Sequence, residues 1–432
     1  MSLAPALNRE DSRGMYADEQ LASALAYYRG GRYEKAEAIY RKVLKKEPEN
    51  AGALHMLGLI AQKNGRGERA VQLLIKAARL DVQRPEILCD LGNAFKSLGR
   101  HKDAIKAHSM VLTMLPNSPE AHSNLGTAYK AAGKAGKAVA CFESALKMRP
   151  NDIELKYNLG NGLMASERYA EAEEVLRQVV YEKPDHIRAQ INLCAALKEE
   201  GRFDAAIRRY QKAIQAVPDS AEAHWNLALT LLATANYPEG WQEYEWRSRL
   251  PGFAMEKMDR PQWQGEDLDG RTLLVHAEQG LGDTLQFVRY LKLLQNLDGD
   301  VIFACADRII KVVQPAAGNV RITSLAKRPE HDMQTPLMSL PRLFNEALPF
   351  EPTGGSYLQP DRALSTAWRE KLGAPSGRRI GIAWQGSTQY QHDGRRSIPL
   401  LNFEPLARRN DIQLVSLQQG DGAEQASEMP WR

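Results

Sequence analysis

Residues with the types and spacing to do chemistry gather in two stretches of this 432-residue chain. In the first, residues 273–290 (LLVHAEQGLGDTLQFVRY), a short apolar run breaks at Gly280 and Gly282 and restarts with helical spacing. That pattern reads as strand, tight glycine turn and helix. Glycines permit backbone angles and close approaches that a β-carbon would forbid, and the first N–H groups of a helix lack intrahelical partners. The turn is therefore expected to suit an anion, with the carboxylate of Asp283 beside it. His276, Glu278 and Gln279 immediately precede it. The alternatives are a helix cap for Asp283 and a hydrogen-bonded structural role for His276. In the second stretch, IGIAWQGS at 380–387 reads as a strand ending in a loop of Gln385, Gly386 and Ser387, followed by His392 and the pair Arg395 and Arg396. Ligands of parallel sheets bind at such strand ends. Two adjacent arginines also suit an ordinary solvated pair.

Neither stretch matches the common nucleotide motifs. The third glycine of the dinucleotide fingerprint would fall at Leu285, and no Gly-Lys-Ser/Thr follows the turn.

The elements that must position these residues show as apolar runs. Residues 273–277, 301–306, 320–325 and 380–384 read as strands, with another at 413–418. Residues 284–297 read as a helix with Leu285, Val288, Leu291 and Leu294 on one face. Strands alternating with helices imply parallel βαβ units. Residues 251–264 lack any pattern and read as a connector, 265–350 as a first α/β domain, 351–377 as a linker and 378–432 as the start of a second domain.

Everything before the connector repeats with a period of 34. Pro116, Pro150, Pro184 and Pro218 keep that spacing, as do Ala36, Ala70, Ala104, Ala138, Ala172 and Ala206, and the pairs Leu57-Gly58, Leu91-Gly92, Leu125-Gly126 and Leu159-Gly160. Seven repeats then begin at 17, 51, 85, 119, 153, 187 and 221, preceded by a frayed leader over 1–16. The prolines end each second helix, because proline lacks the N–H and its predecessor avoids the α region. Small residues such as Gly126 and Ala138 let paired helices approach, while Tyr129 and Phe142 fill the space between neighbouring pairs. The seventh repeat departs: Gly240 replaces the alanine, and WQEYEWR at 241–247 is unusually aromatic. Bulky residues there are expected to cap the array, with carbohydrate stacking by Trp241 or Trp246 as the alternative.

The sixth place of successive repeats holds Asp90, Asn124, Asn158, Asn192 and Asn226. An asparagine offers donor and acceptor together, so such a row can pair with an extended peptide backbone whatever its side chains; packing between helices is the competing use. Lys96, Lys130 and Lys198 recur at the twelfth place and suit acidic segments.

The period and the small/large pattern resemble the tetratricopeptide repeat (TPR) family. The resemblance implies a right-handed α-helical superhelix, a solenoid with a concave groove for a protein or peptide, in which no single repeat is stable alone. The asparagine row is similar to the one with which the repeat domain of O-linked N-acetylglucosamine transferases holds protein substrates. Farther on, HAEQGLGDTLQFVRYL, LMSLPRLF at 337–344, IGIAWQGS and RRSIPL at 395–400 together resemble bacterial repeat proteins whose C-terminal region lies near the heptosyltransferase-type glycosyltransferases. That resemblance, over roughly 262–420, implies an α/β GT-B-type arrangement of two Rossmann-like domains. It implies Asp283 as the general base, Arg396 with Arg395 on the diphosphate of a nucleotide-sugar donor, and Gln385, Gly386 and Ser387 in the donor loop. His276, Glu278, Gln279 and His392 would be supporting residues, and no metal or cofactor is required. The second Rossmann-like domain is expected to be incomplete, since only 55 residues run from 378 to 432. Sugar transfer by this chain is accordingly expected to be weak or absent. The alternative is a non-catalytic scaffold for protein interactions.

Composition bounds these readings. With 57 basic against 53 acidic residues, the charge of +4 does not point to nucleic acid as a partner. Cys89, Cys141, Cys194 and Cys305 form no CxxC pair, which suits a reduced, cytoplasmic setting. No run approaches the ~18 apolar residues of a membrane span.

Overall fold

The structure, a computed structural model, describes residues 8–250, 253, 260–327, 329–344, 356–374, 377–388 and 393–429. It falls into two compact units, a helical array and an α/β unit beginning at Arg260.

The array is a succession of helix pairs. The first helices of the second to seventh repeats start at Ala51, Pro85, Pro119, Ile153, Ile187 and Ala221, the positions that the period of 34 predicts. Asn50, Ser118, Asp152 and Ser220 cap four of them by accepting a backbone N–H three residues on. Tight turns join the two helices of a pair through a left-handed residue, glycine at Gly31, Gly65, Gly99, Gly133 and Gly201. Glu167 and Ala235 take the same conformation, at φ 59° and 60°. Second helices end just before the expected prolines, as at Met114, Met148, Glu182 and Ala216. The leader differs from expectation: the first helix spans Asn8–Arg29, because no cap or proline near residue 17 stops the helix from propagating through the polar sequence before it.

Close approach within each pair sets the core. A β-carbon at Gly126 would lie 2.8 Å from Phe142 Cε1, and one at Gly162 in the next repeat 3.0 Å from Phe142 Cδ2. Phe142 thus fills a slot made by two glycines of successive repeats. The same place holds Tyr40, Leu74, Leu176 and Tyr210, all fully buried, and in the third repeat His108. The terminal repeat is closed by its aromatic segment. Trp246 stacks on His224 at 3.8 Å, Arg249 lies over Trp246 at 4.1 Å, and Tyr244 packs against Trp225 at 4.8 Å. Arg247, 1% exposed, pairs with Glu245 at 3.0 Å. The ring surfaces of Trp246 meet protein groups, as capping requires.

The α/β unit holds two parallel sheets. Four strands, β1 (Thr272–His276), β2 (Asp300–Cys305), β3 (Arg321–Ser324) and β4 (Met333–Pro336), lie in the order β3-β2-β1-β4. Leu273 to Val275 and Ile302 to Cys305 are buried, as central strands of a covered sheet should be. Helix Leu281–Phe287 continues as a 3-10 helix, Val288–Asn296, and buries Phe287, Val288, Leu291 and Leu294. The second sheet pairs β5 (Arg378–Ile382) with β6 (Ile412–Ser416).

Two segments behave differently from their sequence reading. Trp263, inside the expected connector, is 1% exposed, and its backbone N–H donates to Gln334 O of β4 at 2.8 Å. Arg362–Leu372, inside the expected linker, is a helix capped by Asp361 that buries none of its side chains and exposes Leu364 and Trp368.

Candidate functional site

The array and the α/β unit each carry a candidate site. In the array, the sixth-place residues are all half-buried on successive first helices. Most reach back to the preceding repeat. His55 Nε2 lies 2.7 Å from Asp90 Oδ2, the Asn124 side chain bonds Cys89, and Asn158 Nδ2 donates to Ser123 Oγ at 3.3 Å. Asn192 donates to Asn161, and Asn226 Nδ2 donates to Glu222 O in its own helix at 2.8 Å. The row therefore works as a splint between repeats, which is the packing use. Asn158, Asn192 and Asn226 each spend one donor in this way, and among the described residues their carbonyl oxygens accept nothing.

Lys96 and Lys130 are half-buried at the twelfth place. Burial lowers the pKa of both, and the charge of Lys96 lowers that of Lys130 further. Lys198 differs, since it lies 3.4 Å from Glu199.

In the larger sheet the strand order reverses between β1 and β4, whose last residues His276 and Pro336 pair. The glycine turn leaves β1 at that edge. Neither glycine takes a left-handed backbone: Gly280 has φ −64°, where a β-carbon would lie 3.2 Å from Asp283 Oδ2, and a β-carbon at Gly282 would meet nothing within 4 Å. Asp283 Oδ2 accepts the Gly280 N–H at 3.1 Å, and Thr284 Oγ1 donates to Gly280 O at 3.1 Å. Asp283 thus caps a helix of seven residues, and its carboxylate occupies the N–H of Gly280, the residue before the helix. His276 is 4% exposed, while Glu278 and Gln279 are half-buried and engaged in contacts of their own.

The loops after β5 and β6 are tied together chiefly by residues the sequence reading did not single out. Gln418 Oε1 accepts the N–H groups of Trp384 and Gln385 at 2.9 and 3.0 Å, and its Nε2 donates to Gln385 O and Asp421 O. Asp421 Oδ2 accepts from Thr388 N and Oγ1 at 2.9 and 2.6 Å, and these bonds hold its carboxyl below the usual range. Gly386 N donates to Ser397 Oγ, which donates to Asp393 Oδ2 at 2.8 Å, and Arg396 Nε donates to Asp393 Oδ1 at 3.0 Å. A β-carbon at Gly386 would run into the ends of the Arg396 and Asp393 side chains, which would have to move aside.

The expected residues Gly386 and Arg396 therefore do come together, but around Asp393, which offsets much of the arginine's charge, while Gln385 is held by Gln418 and Gln425. Ser387 is exposed and has contacts of its own. Arg395 closes the short 3-10 turn Asp393–Arg395, and His392 lies outside the described residues. A cleft of about 470 Å³ beside this sheet is lined by Ile382, Trp384, Leu400, Leu414 and Met429. Gln418 and Asp421 carried no sequence signal, since polar residues in loops are common and only the pairing of β5 with β6 brings them to the loop after β5, whereas Ser397 lies within RRSIPL.

A tetratricopeptide-repeat family matches residues 27–88 and 129–197, and a second TPR family matches 195–234. The array is built of tetratricopeptide repeats. Protein FlbA of Caulobacter vibrioides is 29% identical to this chain over 223 residues, 45% of this chain. The match spans 36% of FlbA, so the chain covers about a third of that relative. A tetratricopeptide repeat protein from Parabacteroides merdae superposes with a TM-score of 0.49 at 17% identity, over 56% of this chain and 94% of its own. PilF of Pseudomonas aeruginosa does so with a TM-score of 0.42 at 20% identity, over 49% and 96%. Among the described residues, no helix of this chain is long and apolar enough to cross a membrane.

Proposed function

We propose that this chain is a scaffold whose repeat groove captures an extended segment of a partner protein. The observation that carries this reading is the row of half-buried amides spaced one repeat apart, with carbonyl oxygens left open at Asn158, Asn192 and Asn226. An extended backbone presents N–H groups along its length, and acceptors that are already splinted lose little freedom on binding. Replacing Asn124, Asn158 and Asn192 together by Ala should leave helicity unchanged and weaken binding of an end-blocked Gly/Ser/Ala peptide by about tenfold or more. Unchanged affinity would reduce the row to its splinting role.

A second reading has one observation in its favour. In open parallel sheets, ligands bind where the strand order reverses, and here the reversal adjoins the turn that carries Asp283. On this reading the α/β unit is Rossmann-like and of GT-B type. It takes a nucleotide sugar, with Asp283 receiving the acceptor proton and Arg396 facing the diphosphate, in a cytoplasmic protein. The test is release of nucleoside diphosphate from a panel of sugar nucleotides. Turnover that Asp283→Asn abolishes supports the reading, and no turnover with any donor leaves the scaffold alone.

A further inference from the structure

We propose that the middle of the repeat groove selects an acidic residue, Asp or Glu, within the captured segment, and that Lys96 and Lys130 grip its carboxylate. The proposal rests on the groove reading and adds to it the chemistry of the occupant.

Lys96 and Lys130 lie at equivalent places near the C-terminal ends of adjacent first helices, Pro85–Ser97 and Pro119–Ala131. These places are one repeat apart, on the same helices as Asp90 and Asn124. Both lysines are half-buried, and among the described residues neither makes a hydrogen bond or an ion pair. Other enclosed lysines of the array are matched: Lys156 Nζ lies 2.6 Å from Glu182, and Lys198 lies 3.4 Å from Glu199. The third and fourth repeats thus hold two partly desolvated ammonium groups that repel one another and lack a counter-charge. Burying a charge without a partner is unfavourable, and each ammonium has three donors to satisfy. A carboxylate between them supplies both the missing charge and the acceptors, in bonds stronger than neutral ones.

Position in the array indicates where the carboxylate comes from. The lysines belong to the third and fourth of seven repeats, and the asparagine row continues past them to Asn158, Asn192 and Asn226. A segment lying along the row crosses the lysines and runs on. The group they meet is therefore a side chain inside the segment and not the end of a chain.

The test uses the full chain and two fluorescein-labelled, end-blocked decapeptides of Gly, Ser and Ala, one with two central Glu and one with two central Gln. Anisotropy titrations at about 50 mM salt keep screening modest. The Glu peptide should bind about tenfold tighter or more. In Lys96→Met/Lys130→Met, which keeps the apolar stems, the Glu peptide should fall to the affinity of the Gln peptide, which itself stays unchanged. Equal binding of both peptides to the parent, or a preference that survives in the double variant, overturns acidic selection while leaving the groove reading standing. Binding of neither peptide to the parent overturns both.

Discussion

The third repeat should make the array sensitive to acid through one side chain. His108 occupies the core place held by leucine or an aromatic residue in the other repeats, is 1% exposed, and has no partner for Nδ1 among the described residues. Its ring fills the slot over Gly92, where a β-carbon would lie 2.7 Å from His108 Cε1. Burial, with Lys96 adding like-charge repulsion, lowers its pKa from 6.5 to about 4. The group is therefore neutral in the folded state, while the unfolded chain takes up a proton below about pH 6.5. Between those two values the unfolded state binds more protons, so stability is fully present above the unfolded pKa and is lost as pH falls toward the folded one. Taking 1.36 kcal/mol per pKa unit, lowering the pH from 7 to 5 should cost about 2 kcal/mol from this residue alone. The assay is urea unfolding followed by helical circular dichroism at several pH values, comparing the parent with His108→Leu, which copies Leu74 and Leu176. The difference between the two should widen by about 2 kcal/mol between pH 7 and 5. Parallel pH profiles would show that His108 either escapes desolvation or finds a partner, and would refute the reasoning.

Two further outcomes are expected. Glu167 and Ala235 stand where five other repeats place a left-handed glycine, so Glu167→Gly and Ala235→Gly should each stabilise the array by about 0.5–1 kcal/mol, the relief of αL strain less the extra freedom of unfolded glycine. Lower urea midpoints in both variants would contradict this. Gln418→Leu removes the shared acceptor of two N–H groups and should cost about 1–3 kcal/mol, read as faster amide exchange at residues 384–388 with the array unaffected. Unaltered exchange there would mean that the loops do not depend on Gln418.

Much of the array was legible because its information is local and repeated. The period of 34 places every first helix from Ala51 onward, since proline, glycine and capping residues act within a few positions of the backbone they govern. The α/β unit was legible in part. β1, β2 and β3 announce themselves as apolar runs, but β4 (Met333–Pro336) has no alternating pattern. It is a strand because the open edge of β1 receives it. The glycine turn is the clearest divergence. Gly-Leu-Gly-Asp foretold a turn and a helix start, yet whether its N–H groups were open to an anion depended on where the Asp283 carboxylate settled, and it settled on Gly280.

What the sequence determined by itself is the repeat architecture, the asparagine and lysine rows and the existence of parallel strands, all written in spacing along the chain. What only the tertiary structure decided is the partnership of each polar group: Asn158 with Ser123, Thr388 with Asp421, Gln418 with the loop after β5, and Lys96 and Lys130 with none among the described residues. A side chain's partner is set by groups tens of residues away that packing brings within about 3 Å, and one-dimensional spacing carries no record of that distance.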